Sequence, residues 1–168
     1  MKHNSEGEVR FKARWLVLGN HEEKKSQQTY APVVKSITIR IVMVLALILG
    51  LFIQQLDITN AFCYAKIEGD VYIRAPKELK CPEGKCYKLH RALYGLRTSQ
   101  RAWYNHLNKF ILSLGFKRCI LDSCLYYGRR HEKLVVVLSV YMWTIFSSLE
   151  GSLNMSNQSR RNFVKILK

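Results

Sequence analysis

Acidic side chains are scarce in this chain: 12 Asp and Glu stand against 27 Lys and Arg, a formal net charge of +15. An imbalance of that size favours polyanionic partners, with nucleic acid first and an acidic membrane surface second. The scarcity has a local extreme, since no carboxylate lies between Glu132 and Glu150. Long apolar runs are also missing. The longest, Ile41 to Ile53, is thirteen residues without a charge, bounded by Arg40 and Gln54. A membrane-spanning helix needs about 20 apolar residues, so a buried core helix is the expectation and no membrane partner is implied. Cysteine is sparse and odd in number: Cys63, Cys81, Cys86, Cys119 and Cys124. Met1 to Lys12 is polar and charged, with no secretory signal, so reduced thiols in a cytoplasmic or nuclear setting are expected. The four-residue gaps in Cys81–Cys86 and Cys119–Cys124 lie at the loose edge of structural zinc spacing, and no histidine falls at ligand spacing.

What is present suffices for a folded domain. Hydrophobic residues make up 48% and charged residues 23% of 168, which argues for a packed core. The basic excess is localised. Lys85 to Lys133 holds eleven basic residues against Asp122 and Glu132, interleaved with Tyr94, Trp103 and Tyr104. Ile41 to Gly84 is near neutral, with four basic and five acidic residues. A solvated face is the plain explanation of such a stretch; the interleaved aromatics favour nucleic acid.

Periodicity sketches the elements. Val9 to Leu18 alternates as a strand with Arg10, Lys12 and Arg14 on one face, and His21 to Gln28 is a loop. A helix is expected from Ser36 or Thr38 to Gly50. Phe52 to Ile58 is a strand ending on a buried-looking Asp57, Val71 to Ile73 is a short strand, and Lys77 to Lys85 is a loop. Thr98 to Leu114 has helical spacing through Ala102, Trp103, Leu107, Phe110, Ile111 and Leu114, closed by Gly115. Leu134 to Tyr141 is the strongest strand. From Met142 the pattern degrades, and Ser152 to Arg161 reads as unstructured tail. There is no internal repeat.

Three blocks, in order, carry a resemblance. RFKAR and YAPVVKSITIR span Arg10–Arg14 and Tyr30–Arg40; QQLDITNAF, Gln54–Phe62, is followed by Val71–Ile73; CYKLHRALYGLRTSQRAWY spans Cys86–Tyr104, trailed by LGFKR and LDSCLY. Together they resemble the reverse transcriptase of copia-type retrotransposon polyproteins, over roughly Val9 to Tyr141. The resemblance implies an α+β fold: an incomplete polymerase palm and fingers, with an antiparallel sheet packed by helices and the Asp57 strand beside Leu134–Tyr141. It also implies magnesium, and RNA or an RNA–DNA duplex as partner.

The chemistry is phosphoryl transfer, in which two divalent metals about 4 Å apart clamp the attacking and leaving oxygens. Magnesium prefers hard carboxylate ligands, and Asp57 suits that role. Its alternative is to cap the next turn. The resemblance assigns Phe62 to the position beneath the incoming sugar, where a ring excludes a 2′-hydroxyl; otherwise it is ordinary core. Lys12 and Arg14 match basic residues that approach the triphosphate, or else form a solvated basic face. Gly95 and Arg97 match the segment that backs nucleotide and template. Gln100 departs from the family, which usually has proline there. Trp103, Tyr104 and Leu107 read as helix core.

The family's second metal motif is a tyrosine, a small apolar residue and two aspartates at a tight turn. Here Tyr141 is followed by Met142, and Trp143 and Thr144 occupy the aspartate positions. Neither replaces a magnesium carboxylate, so catalysis is expected to be absent. One origin fits the residues. The codons TAT GTG GAC GAT ATT TTC encode Tyr-Val-Asp-Asp-Ile-Phe; one nucleotide on, they encode Met-Trp-Thr-Ile-Phe-Ser, as in Met142–Ser147. The expectation is then a partial fingers and palm over 1–141 and a degenerate, frameshifted tail over 142–168, without the thumb and ribonuclease H that follow in such polyproteins. The rivals are a repurposed nucleic-acid-binding module without catalysis and a small membrane-associated protein using Ile41–Ile53.

Overall fold

The computed structural model describes residues 2–3, 9–10, 15–21, 29–76, 79, 82–130, 133–140 and 143–148. Strands β1 (Lys2–His3) and β2 (Val9–Arg10) pair antiparallel. Helix α1 (Ser36–Ile48) leads to β3 (Phe52–Asp57), a 3-10 turn at Ala61–Tyr64, and then β4 (Lys66–Ile73) and β5 (Tyr87–Arg91), which pair with each other. Helix α2 (Ser99–Ser113) precedes β6 (Lys117–Arg118), β7 (Leu125–Arg130), β8 (Lys133–Val140) and β9 (Trp143–Ser148). The main sheet is antiparallel, in the order β3-β9-β8-β7-β6. The chain is therefore mixed α and β, with two α-helices among the described residues.

The apolar run of β8 follows from burial on both faces. Alternate residues Val135 and Val137 join Tyr126 of β7 on one side, where α2 lays down Trp103, Leu107 and Ile111 at helical spacing. Ile58, Ala61, Ala65 and Ala92 complete that core. Leu138 faces the other side, against Val34 and Cys124. A strand covered on both faces loses its alternation, which is why LVVVLSV reads as continuous. Removing a large side chain from such a core costs about 2–5 kcal/mol.

Helix α1 is capped from a distance. Its N-cap, Lys35, makes no side-chain cap bond, and its first turn has no acid. Instead Oδ2 of Asp122 accepts from the Lys35 amide at 3.0 Å and the Thr38 hydroxyl at 2.6 Å. Its Oδ1 accepts from the Cys124 amide at 2.9 Å. A carboxylate there also meets the positive end of the helix. At the other end Gly50, at φ +62°, closes α1: its amide reaches Leu47 O, and the Leu51 amide reaches Ala46 O at 2.7 Å.

Four expectations need correcting. Helix α1 is not a buried core helix: only Thr38, Val42 and Ala46 are buried, and Ile37, Ile41, Val44, Leu47 and Ile48 are exposed. An apolar run does not reveal which of its sides is covered. Val9–Leu18 is not one strand, since β2 ends at Arg10 and residues 15–18 form none. The strand bearing Asp57 does not lie beside β8, because β9 sits between them. Residues 143–148, where periodicity fails, form that central strand; Trp, Thr, Ile and Phe are strong strand formers whatever their pattern. Residues 149–168, including the expected tail at Ser152–Arg161, lie outside the described residues.

Asp122 supplies a test. Its burial opposes ionisation, but the Thr38 hydroxyl and the Cys124 and Lys35 amides outweigh that and hold the carboxyl below the ordinary value. Its contribution is therefore present above the ordinary carboxylate pKa and is lost as pH falls through the depressed one. Asp122→Ala is expected to cost about 2–3 kcal/mol in urea unfolding at neutral pH, since it leaves buried donors unpaired. The difference between wild type and variant should shrink as the pH falls below about 4.

Candidate functional site

Strand β3 ends on Asp57, and the next residue, Ile58, is buried against α2. That burial fixes where the strand stops. Asn60 then adopts the left-handed conformation at φ 56°, which asparagine tolerates, and reverses the chain into the Ala61–Tyr64 turn. Cys63 N donates to Asn60 O and Ala65 N to Phe62 O. Ala61 and Ala65 are fully buried, so the turn is pinned on both sides of Phe62.

Asp57 itself is exposed, which corrects the buried position expected of it. Among the described residues strand β3 is the edge of the sheet, with β9 as its one neighbour. A charge there carries no burial cost, and the argument for a compensating cation from burial falls away. Across the ladder Asp57 stands opposite Trp143, and Leu56 opposite Thr144. Trp143 also pairs with Val140, and residues 141 and 142 lie outside the described residues. Directly opposed residues in an antiparallel pair share one face of the sheet, which puts positions 57 and 143 on the same face. Among the described residues no group of three or more His, Cys, Asp or Glu could hold a metal ion.

Phe62 is half-buried and packs edge-on against Tyr94, with ring centroids 4.9 Å apart. Tyr94 O accepts from the Val17 amide at 2.8 Å, so the segment at 15–19 is laid across the turn at Tyr94–Gly95. Gly95, at φ +94°, is required there: a Cβ would stand 1.9 Å from Val17 O. The structure therefore brings Phe62 and Gly95 to either side of Tyr94. Arg97 is exposed just beyond, and Gln100 lies exposed in the first turn of α2, which starts at Ser99 without the family's proline. Lys12 and Arg14 lie outside the described residues. Trp103 and Leu107 are core, as expected, whereas Tyr104 is only half-buried.

Two features escaped sequence reasoning. The backbone of Val17 and Gly19 against Gly95 had no signal beyond an isolated glycine in a polar stretch. Asp122 was visible only as one of few acids in a basic region. Of the cysteines, Cys124 is buried and its thiol is pushed up to about 11, by burial first and then by Asp122. Cys63 and Cys86 are exposed, and Cys81 lies outside the described residues. No helix among the described residues is long and apolar enough to cross a membrane.

Gly95→Ala tests the close approach. The added methyl must displace the segment at 15–19, at a cost of about 1–3 kcal/mol. Hydrogen exchange at the Val17 amide should accelerate, and unchanged exchange would show that the segment does not lie on Gly95.

The comparisons with known proteins agree with the motifs. The family model described as reverse transcriptase (RNA-dependent DNA polymerase) matches residues 1–163. The chain is 36% identical to the retrovirus-related Pol polyprotein from transposon RE1 of Arabidopsis thaliana, over 82% of its own length and 10% of the relative's. It is 34% identical to that from transposon TNT 1-94 of Nicotiana tabacum, over 80% of this chain and 10% of the relative. Transposon Ty1-ER2 Gag-Pol polyprotein of Saccharomyces cerevisiae is 30% identical over 81% of this chain and 8% of the relative. The chain thus spans about a tenth of the curated relatives it matches. No solved structure matches it. With the family model covering nearly the whole chain and the ordered motifs in place, the chain belongs to the reverse transcriptase family of copia-type transposon polyproteins.

Proposed function

We propose that this chain is a piece of reverse transcriptase palm and fingers that no longer catalyses polymerisation. The observation that carries the reading is the register of β3 on β9. It sets Asp57 opposite Trp143, with Thr144 next in line, where the family motif has its two aspartates. The family's reaction needs two divalent metals held by several carboxylates, and magnesium would be the ion. The residues present do not fit that requirement. Asp57 is one carboxylate, the residue across from it is an indole, and no acid follows until Glu150.

On this reading residues 1–141 are the fingers and palm segment, and 142–168 are the frameshifted remainder. Asp57 is the surviving metal carboxylate, and Lys12, Arg14, Phe62, Gly95 and Arg97 are the remains of the nucleotide site. The strand at Trp143–Ser148 does not oppose a frameshift, because its composition alone favours extended backbone. A cytoplasmic or nuclear location goes with a nucleic-acid partner.

A second reading, a nucleic-acid-binding module without catalysis, is favoured by the surface. Lys88, Arg91, Arg97, Lys109, Lys117, Arg118 and Arg129 of the basic stretch are all exposed. Such a module would hold an RNA–DNA duplex with an affinity that falls steeply with salt.

Two measurements test the leading reading. The nucleotide sequence across the codons for Val140–Ser148 should read Tyr-Val-Asp-Asp in the neighbouring frame and continue as reverse transcriptase. If no such frame exists, the aspartates were replaced in continuous coding sequence, and the binding module becomes the better account. Primer extension by the full chain on an RNA template, with magnesium or manganese, should stay at background. Templated extension above that level, lost on Asp57→Asn, would overturn the loss of catalysis.

A further inference from the structure

Helix α1 has two apolar sides, and only one of them is covered. Thr38, Val42 and Ala46 make up the buried side. Ile37, Ile41, Val44 and Ile48 follow one another at spacings of four, three and four. At about 100° per residue that line faces away from the buried side. Its residues are 58%, 51%, 53% and 73% exposed, and Leu45 and Leu47 beside them are 46% and 80% exposed. These six residues leave roughly 700 Å² of apolar surface to solvent, above the roughly 300–600 Å² of the largest patch on an ordinary monomer. That is close to the roughly 800 Å² that each partner brings to a standard interface.

The spacing selects the occupant. A four-three-four line of Ile and Val is the seam of a coiled coil, whose knobs fill the holes of a facing helix with the same repeat. Among the described residues the other α-helix has no such seam to offer, because Trp103, Leu107 and Ile111 of α2 lie in the core. The line also reads the same in both directions. Laid antiparallel on a second copy, it sets Ile37 over that copy's Ile48 and Ile41 over its Val44, and every layer is apolar. Charge points the same way. The chain carries +15, so two copies repel over most of their surface. From Ser36 to Ile53 the one charged residue is Arg40. The antiparallel register brings that exposed guanidinium level with Leu45 of the second helix, in a last turn that has no basic residue of its own. A cation there meets the negative end of the helix.

We propose that α1 is the contact surface of a homodimer. Two copies pack antiparallel through Ile37, Ile41, Val44 and Ile48, about a two-fold axis that passes between Ile41 and Val44. A contact of this kind uses the same patch on both copies and closes at two. Each helix is 13 residues, or about 20 Å, so the pair covers only part of the exposed area and the dimer is a weak one. Phe52 and Ile53, both exposed at the start of β3, continue the apolar surface past the helix end. The contact uses neither Asp57 nor Trp143, and it holds whether or not catalysis is lost.

The test is sedimentation velocity of the full chain from about 5 to about 300 µM, in about 0.5 M salt, which screens charge and leaves apolar contacts in place. The chain should pass from monomer to dimer with a midpoint at roughly 10–100 µM. Ile41→Lys and Val44→Glu each put an unpaired charge into two layers of the dimer, and each should weaken association by roughly 30-fold or more. Mixed in equal amounts, the two variants should recover dimers. The antiparallel register sets the new ammonium of one against the new carboxylate of the other, with Val44 on Ile41 in the remaining layer. Ile120→Lys, at a fully exposed apolar residue off the helix, should leave association unchanged. A wild-type chain still monomeric at the top of the concentration range, or equal losses in Ile120→Lys and Ile41→Lys, would overturn the dimer. A mixture that stays monomeric would overturn the antiparallel register. Flotation of a monomeric chain with phosphatidylcholine vesicles, lost on Ile41→Lys, would overturn the dimer in favour of a lipid surface. Should Ile41→Lys lose its circular dichroism, Val44→Glu decides, and an unweakened dimer in it would count against the seam.

Discussion

One carboxylate joins the two halves of this molecule. Asp122, in the loop before β7, takes the first amide and first-turn hydroxyl of α1 from more than eighty positions away in sequence. Most apolar residues of α1 face outward among the described residues, and Thr38, Val42 and Ala46 form its buried side. Its direction sets where β3 begins, and β3 carries Asp57. Without that tether the sheet's edge strand would rest only on its pairing with β9. The buried hydrogen bonds also explain why a charge is tolerated there at all: every oxygen lone pair that matters is met by a donor from backbone or hydroxyl.

Strand β9 is the second junction. It pairs along its whole length with both β3 and β8, so the proposed loss of catalysis and the integrity of the sheet fall on the same six residues. This separates two demands on a polymerase hairpin. The strand must be extended and β-prone, which Trp-Thr-Ile-Phe satisfies; its turn must present carboxylates, which these residues lack. A sequence can lose the second property and keep the first, because strand formation depends on composition and pairing whereas metal binding depends on particular oxygens.

Much of the frame was legible. The α2 helix at Thr98–Leu114 differs from Ser99–Ser113 by one residue at each end, and the β8 run and the Gly50 and Gly115 stops stood out, because periodicity and glycine report local geometry directly. Exposure was not legible. An apolar run such as Ile41–Ile53 looks buried, and Asp57 looked buried for the same reason, because only the strand order says which surfaces are covered. Periodicity assigned no strand to Tyr87–Arg91, Leu125–Arg130 or Trp143–Ser148: the first two are half-polar, and the last lacks alternation. Among the candidate site residues, the ring of Phe62 meets that of Tyr94, and Gly95 lies against the backbone of Val17. Tyr94's role there, and the neighbouring Val17 backbone, came only from long-range contacts that no spacing encodes.

The central claim is that positions 57 and 143 share a face of the sheet and that a single carboxylate now serves where several are needed. Manganese titration followed by electron paramagnetic resonance addresses it most directly, comparing the full chain with its Trp143→Asp/Thr144→Asp variant. The account predicts weak binding by the chain as it stands and at least roughly ten-fold tighter binding by the variant, abolished again by adding Asp57→Asn. Equal binding by the two chains, or a gain that survives Asp57→Asn, would contradict it.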